Sequence, residues 1–470
     1  MSSNSAALIA ATRFGFAARA GDLAAIGRDP RGWVLAQLGH RPPPLAGNLP
    51  SSATMVVAEF EMRRERRLAK GGDGSEKVGR RFADNAPRQD NPQRDETGAM
   101  REFNERVKAV YFAEIGARIG AAAASDTPLL ERLTHFWSNH FTVSILRPAI
   151  RGFAAAFERE AIRPNITGRF VDMALAVARH PAMLLYLDNA MSVGPDSMVG
   201  ERRGKGLNEN LGRELLELHT LGVDGGYTQK DVEALARILT GWSVAQLRDA
   251  DPGGFMFRAR IHEPGTKILL GRSFAEDGEN EAAQAIQFLA HHPATATHIA
   301  TKLARHFIAD DPPKDSIARI GRVFRDSGGD LRQVTAAVIQ EDAAWRTPFA
   351  KLRTPTEMVI AAARVTGFTP PPPMLVGSLK ELDQMPFFAP SPAGWPDAAA
   401  NWVSPEAVLR RAEWCETFAG RLPDPPDPIE LAAATFGDTL PDETLQAIRR
   451  APSRRTGVAL VLASPQFQRR

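Results

Sequence analysis

One cysteine, Cys415, stands in a chain of 470 residues. A lone thiol excludes a disulfide framework within the chain and any cysteine-rich zinc or iron–sulfur site. HExxH, Walker A, GxSxG and dinucleotide-binding patterns are also missing, so no short catalytic fingerprint assigns a reaction. No apolar run approaches the roughly 18 residues needed to cross a bilayer. The opening segment, MSSNSAALIAATRFGF, lacks the charged, apolar and small-residue sections of a secretory signal, and the expected compartment is cytoplasmic. Charge of one sign is scarce. Against 58 Lys and Arg stand 55 Asp and Glu, and a net +3 is a weak footprint for nucleic acid.

What is present reads as a large globular protein. Hydrophobic content of 43% and charged content of 24% suit a chain with a sizeable core. Helical periodicity dominates, and the expected fold is a mainly α multi-helix globular bundle with a small β-hairpin insertion near residues 251–272. Four sections follow from composition: an N-terminal helical segment (1–55), a charged helical and flexible segment (56–108), a helical core (109–365) and a C-terminal helical section packed on that core (366–470). The first holds DPRGWVLAQL, with Asp29 as N-cap, Pro30 at the first helical position and Trp33, Leu35 and Leu38 as apolar contacts. In the fourth, Ser404 and Pro405 make a helix start. The hairpin rests on the alternation of Phe255, Phe257, Ala259 and Ile261, followed by Glu-Pro-Gly-Thr and a second apolar run.

Two helices keep polar groups among apolar ones. In NENLGRELLELHTLG (208–222), a turn of about 100° per residue puts Glu214 and His219 inside the apolar arc, about 140° apart, with Glu217 at its margin. In TPLLERLTHFWSNHF (127–141), Thr127 and Pro128 signal the start. There His140 falls among Leu133, Phe136, Trp137 and Phe141 and is expected to be buried, while His135 and Asn139 fall opposite and His135 is expected to be exposed. In HIATKLARHF, Ile299, Leu303 and His306 share a stripe. An inward histidine is more often a hydrogen-bonded core residue than a ligand. A buried carboxylate costs several kcal/mol unless paired, coordinated or neutralised. Arg169, Arg179 or Arg237 could pair with Glu214.

Two metal signatures fail. GVDGGYTQKD (222–231) has the second half of an EF-hand loop, but Thr220 and Gly222 occupy its first and third positions. Thr228 with Asp231 is better read as the N-terminal cap of QKDVEALARILTGW, whose Val232, Leu235, Leu239 and Trp242 form one apolar stripe. Glu214 is followed three residues later by Glu217, not by the histidine of a di-iron ExxH motif.

FWSNHF (136–141), MLLYLDNAMS (183–192), NENLGRELLELHTLGVDGGYTQKDVEALARILTGW (208–242), HEPGTKILLG (262–271), HPATATHIATKLARHFIADDPP (292–313) and SPAGWPDAAANW (391–402) occur in this order. Together with RFGFAARAGDLAAI near the start, they resemble the bacterial family called domain of unknown function 1800 (DUF1800). The resemblance implies no reaction. It implies a neighbouring protein of the DUF1501 family as a partner, and export in many members. Glu263 departs from the family pattern, which favours aspartate after the histidine.

Two functions fit these residues. One is a metal-dependent enzyme holding zinc, iron or manganese at His140, Glu214 and His219, with His262 and Glu217 as acid–base groups and Asn139, Asp188, His306 and Lys267 behind them or in contact with substrate. The other is a non-catalytic helical protein that binds a DUF1501-like partner. A metal-free hydrolase using His140 or His219 as a general base is a third reading, which no serine or cysteine motif supports.

Overall fold

A computed structural model describes residues 3–71, 98–203 and 206–470. Within them the chain forms 22 α-helices and four strands of three residues each, so the fold is mainly α. Helices at Ser52–Gly71 and Gly98–Ala124 flank residues 72–97, and the part of the charged tract expected to be flexible lies outside the described residues. Among the described residues, no helix is long and apolar enough to cross a membrane.

Helix starts follow local chemistry. The Asp29 side chain accepts from the Gly32 amide, Ser404 from Ala407, and Thr228 forms a reciprocal capping box with Asp231. Each satisfies an amide that the first helical turn leaves without a backbone partner. Thr127 precedes Pro128 as expected, but its side chain makes no cap.

The β structure is two hairpins where one was expected. β1 (Trp242–Val244) pairs antiparallel with β2 (Phe255–Phe257), and β3 (Lys267–Leu269) with β4 (Arg272–Phe274). Trp242 therefore leaves the helix to which its periodicity assigned it. The alternation ends at Phe257 because Ala259–Ile261 turn into a 3₁₀ helix. Such short ladders take their stability from packing on helices. Here β3 packs on the helix Gln229–Leu239.

Buried side chains fall into two apolar clusters. The larger joins the N-terminal helices to segments as far as Trp345. The smaller gathers Ile115 and Ile119 with residues from Met358 to Phe467. The helix Pro128–His140 is covered on both sides. Leu130, Leu133 and Trp137 lie in the larger cluster, while Arg132 reaches Glu357 on the helix Pro355–Thr366. A wheel that sorts residues into one inner and one outer face cannot describe such a helix.

Candidate functional site

Between these two sets of helices lies a cavity of about 270 Å³. The helix Pro128–His140 contributes Arg132, His135, Phe136, Asn139 and His140; the helix Pro293–Phe307 contributes Lys302, Arg305 and His306. Glu357 starts the next wall, and the segment Gln384–Asp397 closes the fourth side. Four cations line this space, Arg118, Arg132, Lys302 and Arg305, against two carboxylates, Glu357 and Asp397.

Both carboxylates are already engaged. Arg132 and Arg470 pair with Glu357, and burial, which alone would raise its pKa, is overridden by these two guanidinium groups. Its carboxyl is held well below the usual range. Asp397 lies 3.2 Å from His306 Nδ1, 3.5 Å from Lys351 Nζ and 3.6 Å from Arg470 Nη2. Burial again raises its pKa and is again outweighed, first by His306. The Lys351 side chain is fully buried, and it also pairs with Asp310.

His306 presents two different nitrogens. Nδ1 faces Asp397, while Nε2 is buried and, among the described residues, has no hydrogen-bond partner. Burial lowers the pKa of the ring, with Asp397 opposing. The neutral imidazole that results donates Nδ1–H to the carboxylate and keeps a free lone pair on Nε2.

The 391–397 segment is fastened by Asn139. Its Nδ2 donates to the Trp395 carbonyl at 2.8 Å, and its Oδ1 accepts from the Trp395 amide at 2.8 Å. Between them, Gly394 has φ of +81°, and a Cβ there would lie 2.4 Å from the Asn139 carbonyl oxygen. Only glycine fits that approach.

His140 shares this wall but its Nε2 is occupied. It lies 3.1 Å from the His219 carbonyl oxygen, and His298 Nε2 lies 2.9 Å from that of Leu218. The helix Asn210–Glu214 runs into a π-helical turn at Leu215–His219, so two imidazoles donate to carbonyls at its open C-terminal end. Gly222, with φ of +86°, passes so near His298 that a Cβ would lie 2.8 Å from Nδ1. His140 and His219 have ring centroids 6.2 Å apart. Among the described residues, His140 Nδ1 and both nitrogens of His219 have no hydrogen-bond partner. Burial, reinforced by Lys302, lowers the pKa of His140 well below its usual value and that of His219 to about 3.

The remaining expected residues lie elsewhere. Glu214 is half-buried, not deep in the core, and among the described residues no arginine pairs with it; Arg179 binds Glu279 and Arg237 binds Glu263. Burial and then Glu217 push Glu214 up to about 7, and Tyr227 donates to Glu217 at 3.4 Å. The π turn changes the rotation per residue, so a uniform wheel misplaces groups on either side of it. Asp188 pairs with Arg147. His262 is held between the Thr240 carbonyl at 2.7 Å and Glu281 at 3.0 Å. Lys267 bridges Glu281 at 3.0 Å to the Glu263 carbonyl at 2.6 Å, a buried network that ties the hairpins to a helix. Among the described residues, no three or more His, Cys, Asp or Glu side chains are grouped to hold a metal ion.

Sequence reasoning missed several residues of this wall. His135, expected to be exposed, lines the cavity, and its Nε2 is buried without a partner. Burial lowers its pKa well below the usual value. Lys302, Arg305, Glu357, Asp397 and Arg470 were not singled out. His298, Lys302, Arg305 and His306 follow i, i+4, i+7, i+8 spacing, a polar stripe that the sequence did contain.

A mainly helical protein with a cation-rich cavity is the class that fold and site define. The family model described as "Protein of unknown function (DUF1800)" matches residues 9–469, and the chain belongs to that family. Comparisons with curated proteins and with solved structures gave no match.

Proposed function

We propose that the protein is a hydrolase that takes a small molecule into the cavity, with His306 as its general base. The observation that carries this reading is the 3.2 Å contact of His306 Nδ1 with Asp397 in a residue that lines the cavity, with its buried Nε2 left without a hydrogen-bond partner among the described residues. A carboxylate that orients one imidazole nitrogen fixes the tautomer and supports the positive charge formed when the other takes a proton. Here Nε2 would remove a proton from water as its oxygen attacks an electrophilic carbonyl or phosphoryl centre. The imidazolium would then return that proton to the leaving group. Asp397 is the positioning residue, since its oxygens touch His306, Lys351 and Arg470.

The test is a panel of chromogenic esters, amides and phosphoesters assayed with the full chain. Turnover of at least one class is expected, falling about 10²–10⁴-fold in His306→Ala, the usual worth of a positioned acid–base group. His306→Ala with full turnover, in a protein that retains wild-type circular dichroism, overturns the reading.

A second reading, a divalent-metal enzyme, draws support from the unpartnered nitrogens of His140 and His219. Two buried imidazoles suit zinc, iron or manganese, whereas Glu214 lies with Glu217 and Arg213 and does not complete that pair. Elemental analysis of purified wild type and His219→Ala checks it; stoichiometric metal lost in the variant is the expected result under this reading.

A further inference from the structure

The charges around His306 are unevenly satisfied. Glu357 is paired twice and Asp397 three times, as described above, so neither carboxylate offers an unengaged negative charge. The cations of the helix Pro293–Phe307 differ. Lys302 lines the cavity, is half-buried, and among the described residues has neither a hydrogen bond nor an ion pair. Arg305, three residues on, spends only Nε, on the Asp310 carbonyl at 3.3 Å, and likewise has no ion pair.

A cation partly withdrawn from water without a counterion, as Lys302 is, is unfavourable unless something arrives to neutralise it, whereas Arg305 is exposed at the cavity mouth. Burial already lowers the pKa of Lys302 to about 8, with Asp397 opposing. The walls beside it are aromatic, with Phe136, Phe387 and Trp395. Lys302 lies four residues before His306, one helical turn away on the same face, while Arg305, three residues after Lys302, flanks it at the exposed edge of the helix.

We propose that the cavity binds a small organic anion, its carboxylate or phosphoryl group held by Lys302 and Arg305 and its apolar part against Phe136, Phe387 and Trp395. The two headgroups share the required chemistry, oxygen atoms carrying negative charge that accept from an ammonium and a guanidinium group. Bound there, the anion places its neighbouring atoms beside His306. That last step names the substrate class of the proposed hydrolase and rests on that reading; the anion site itself does not.

The test is isothermal titration of the full chain with benzoate, phenyl phosphate and neutral benzyl alcohol. At least one anion is expected to bind ten times more tightly than the alcohol, and preference between the two anions identifies the headgroup. Lys302→Met should weaken anion binding tenfold or more, Lys302→Arg should largely retain it, and Arg305→Gln should weaken it several-fold. Thermal unfolding of each variant verifies folding. The proposal is overturned if benzyl alcohol binds as tightly as both anions, or if folded Lys302→Met binds them undiminished. His306→Ala separates the two claims. Retained anion binding with lost turnover supports both; retained binding with unchanged turnover removes the hydrolase reading and leaves the anion site.

Discussion

His306 and Asp397 are 91 residues apart in the chain, and their side chains meet at 3.2 Å. The contact joins the helix Pro293–Phe307 to the segment Gln384–Asp397, so the cavity wall and the orientation of its imidazole depend on one carboxylate. Asp397→Asn can keep a hydrogen bond but removes the charge that supports an imidazolium. Turnover in Asp397→Asn is expected to fall by about tenfold or more, with a pH–rate profile displaced from that of wild type. A merely structural Asp397 would leave the shape of that profile unchanged.

Acid should destabilise the protein through its buried imidazoles. The His219 pKa is lowered by burial to about 3 in the folded chain, against about 6.5 when unfolded. The unfolded state therefore binds the proton first. Stability is whole above pH 6.5 and is lost as pH falls toward 3, by roughly 4 kcal/mol for this group alone. His135 and His140 shift in the same direction. Urea denaturation from pH 7.5 to 4.5 is expected to show a falling midpoint, with a shallower fall in His219→Asn.

Glu357 supplies the opposite charge for two buried arginines. Its depressed pKa means that its contribution is present above the ordinary carboxylate range and is lost as pH falls through the folded-state value. Glu357→Gln leaves Arg132 and Arg470 without this counterion, and a loss of about 3–5 kcal/mol is expected in chemical denaturation at pH 7. A loss below 1 kcal/mol would contradict the pairing.

Anion binding should weaken with alkali. The charge of Lys302 disappears as pH rises through about 8. Facing or flanking it are Asp397, Arg305, His140, His219 and His298, and the three histidines, lowered by burial, are already neutral there. Titrations with benzoate at pH 7 and pH 9.5 are expected to differ by about tenfold, and Lys302→Arg should remove the difference because guanidinium stays charged.

The clasp on the 391–397 segment is separable from the chemistry. Asn139→Ala deletes two hydrogen bonds to Trp395, and a cost of about 1–3 kcal/mol is expected. Hydrogen exchange at the Trp395 amide should accelerate in the variant, while exchange in the remote His262–Glu281–Lys267 network stays as in wild type.

Much of the local structure was legible in the sequence. Asp29 with Pro30, Thr228 with Asp231 and Ser404 with Pro405 fix helix starts because a cap needs only residues two or three positions away. The helical class follows from the same short-range periodicity. The hairpins were half legible: β2 and β3, one strand of each pair, appear in the pattern, but they pair with β1 and β4 and not with each other, and β1 was hidden at the end of a helical stripe, where Trp242 satisfies either assignment.

The cavity was legible only in fragments. Asn139, His140 and His306 stood out as residues, yet nothing near them in the chain indicates that Glu357, Asp397 and Arg470 would meet them. His135 was misplaced because its helix is buried on two sides, and Glu214 because a π turn follows it. The sequence alone determined the helical class, the helix starts and the family, since each depends on neighbours in the chain or on ordered motifs. Tertiary structure alone decided which charges are neutralised and which are left open. That outcome depends on contacts between segments far apart in the chain, 91 residues for His306 with Asp397 and 225 for Arg132 with Glu357, and burial makes an unpaired charge costly enough to matter.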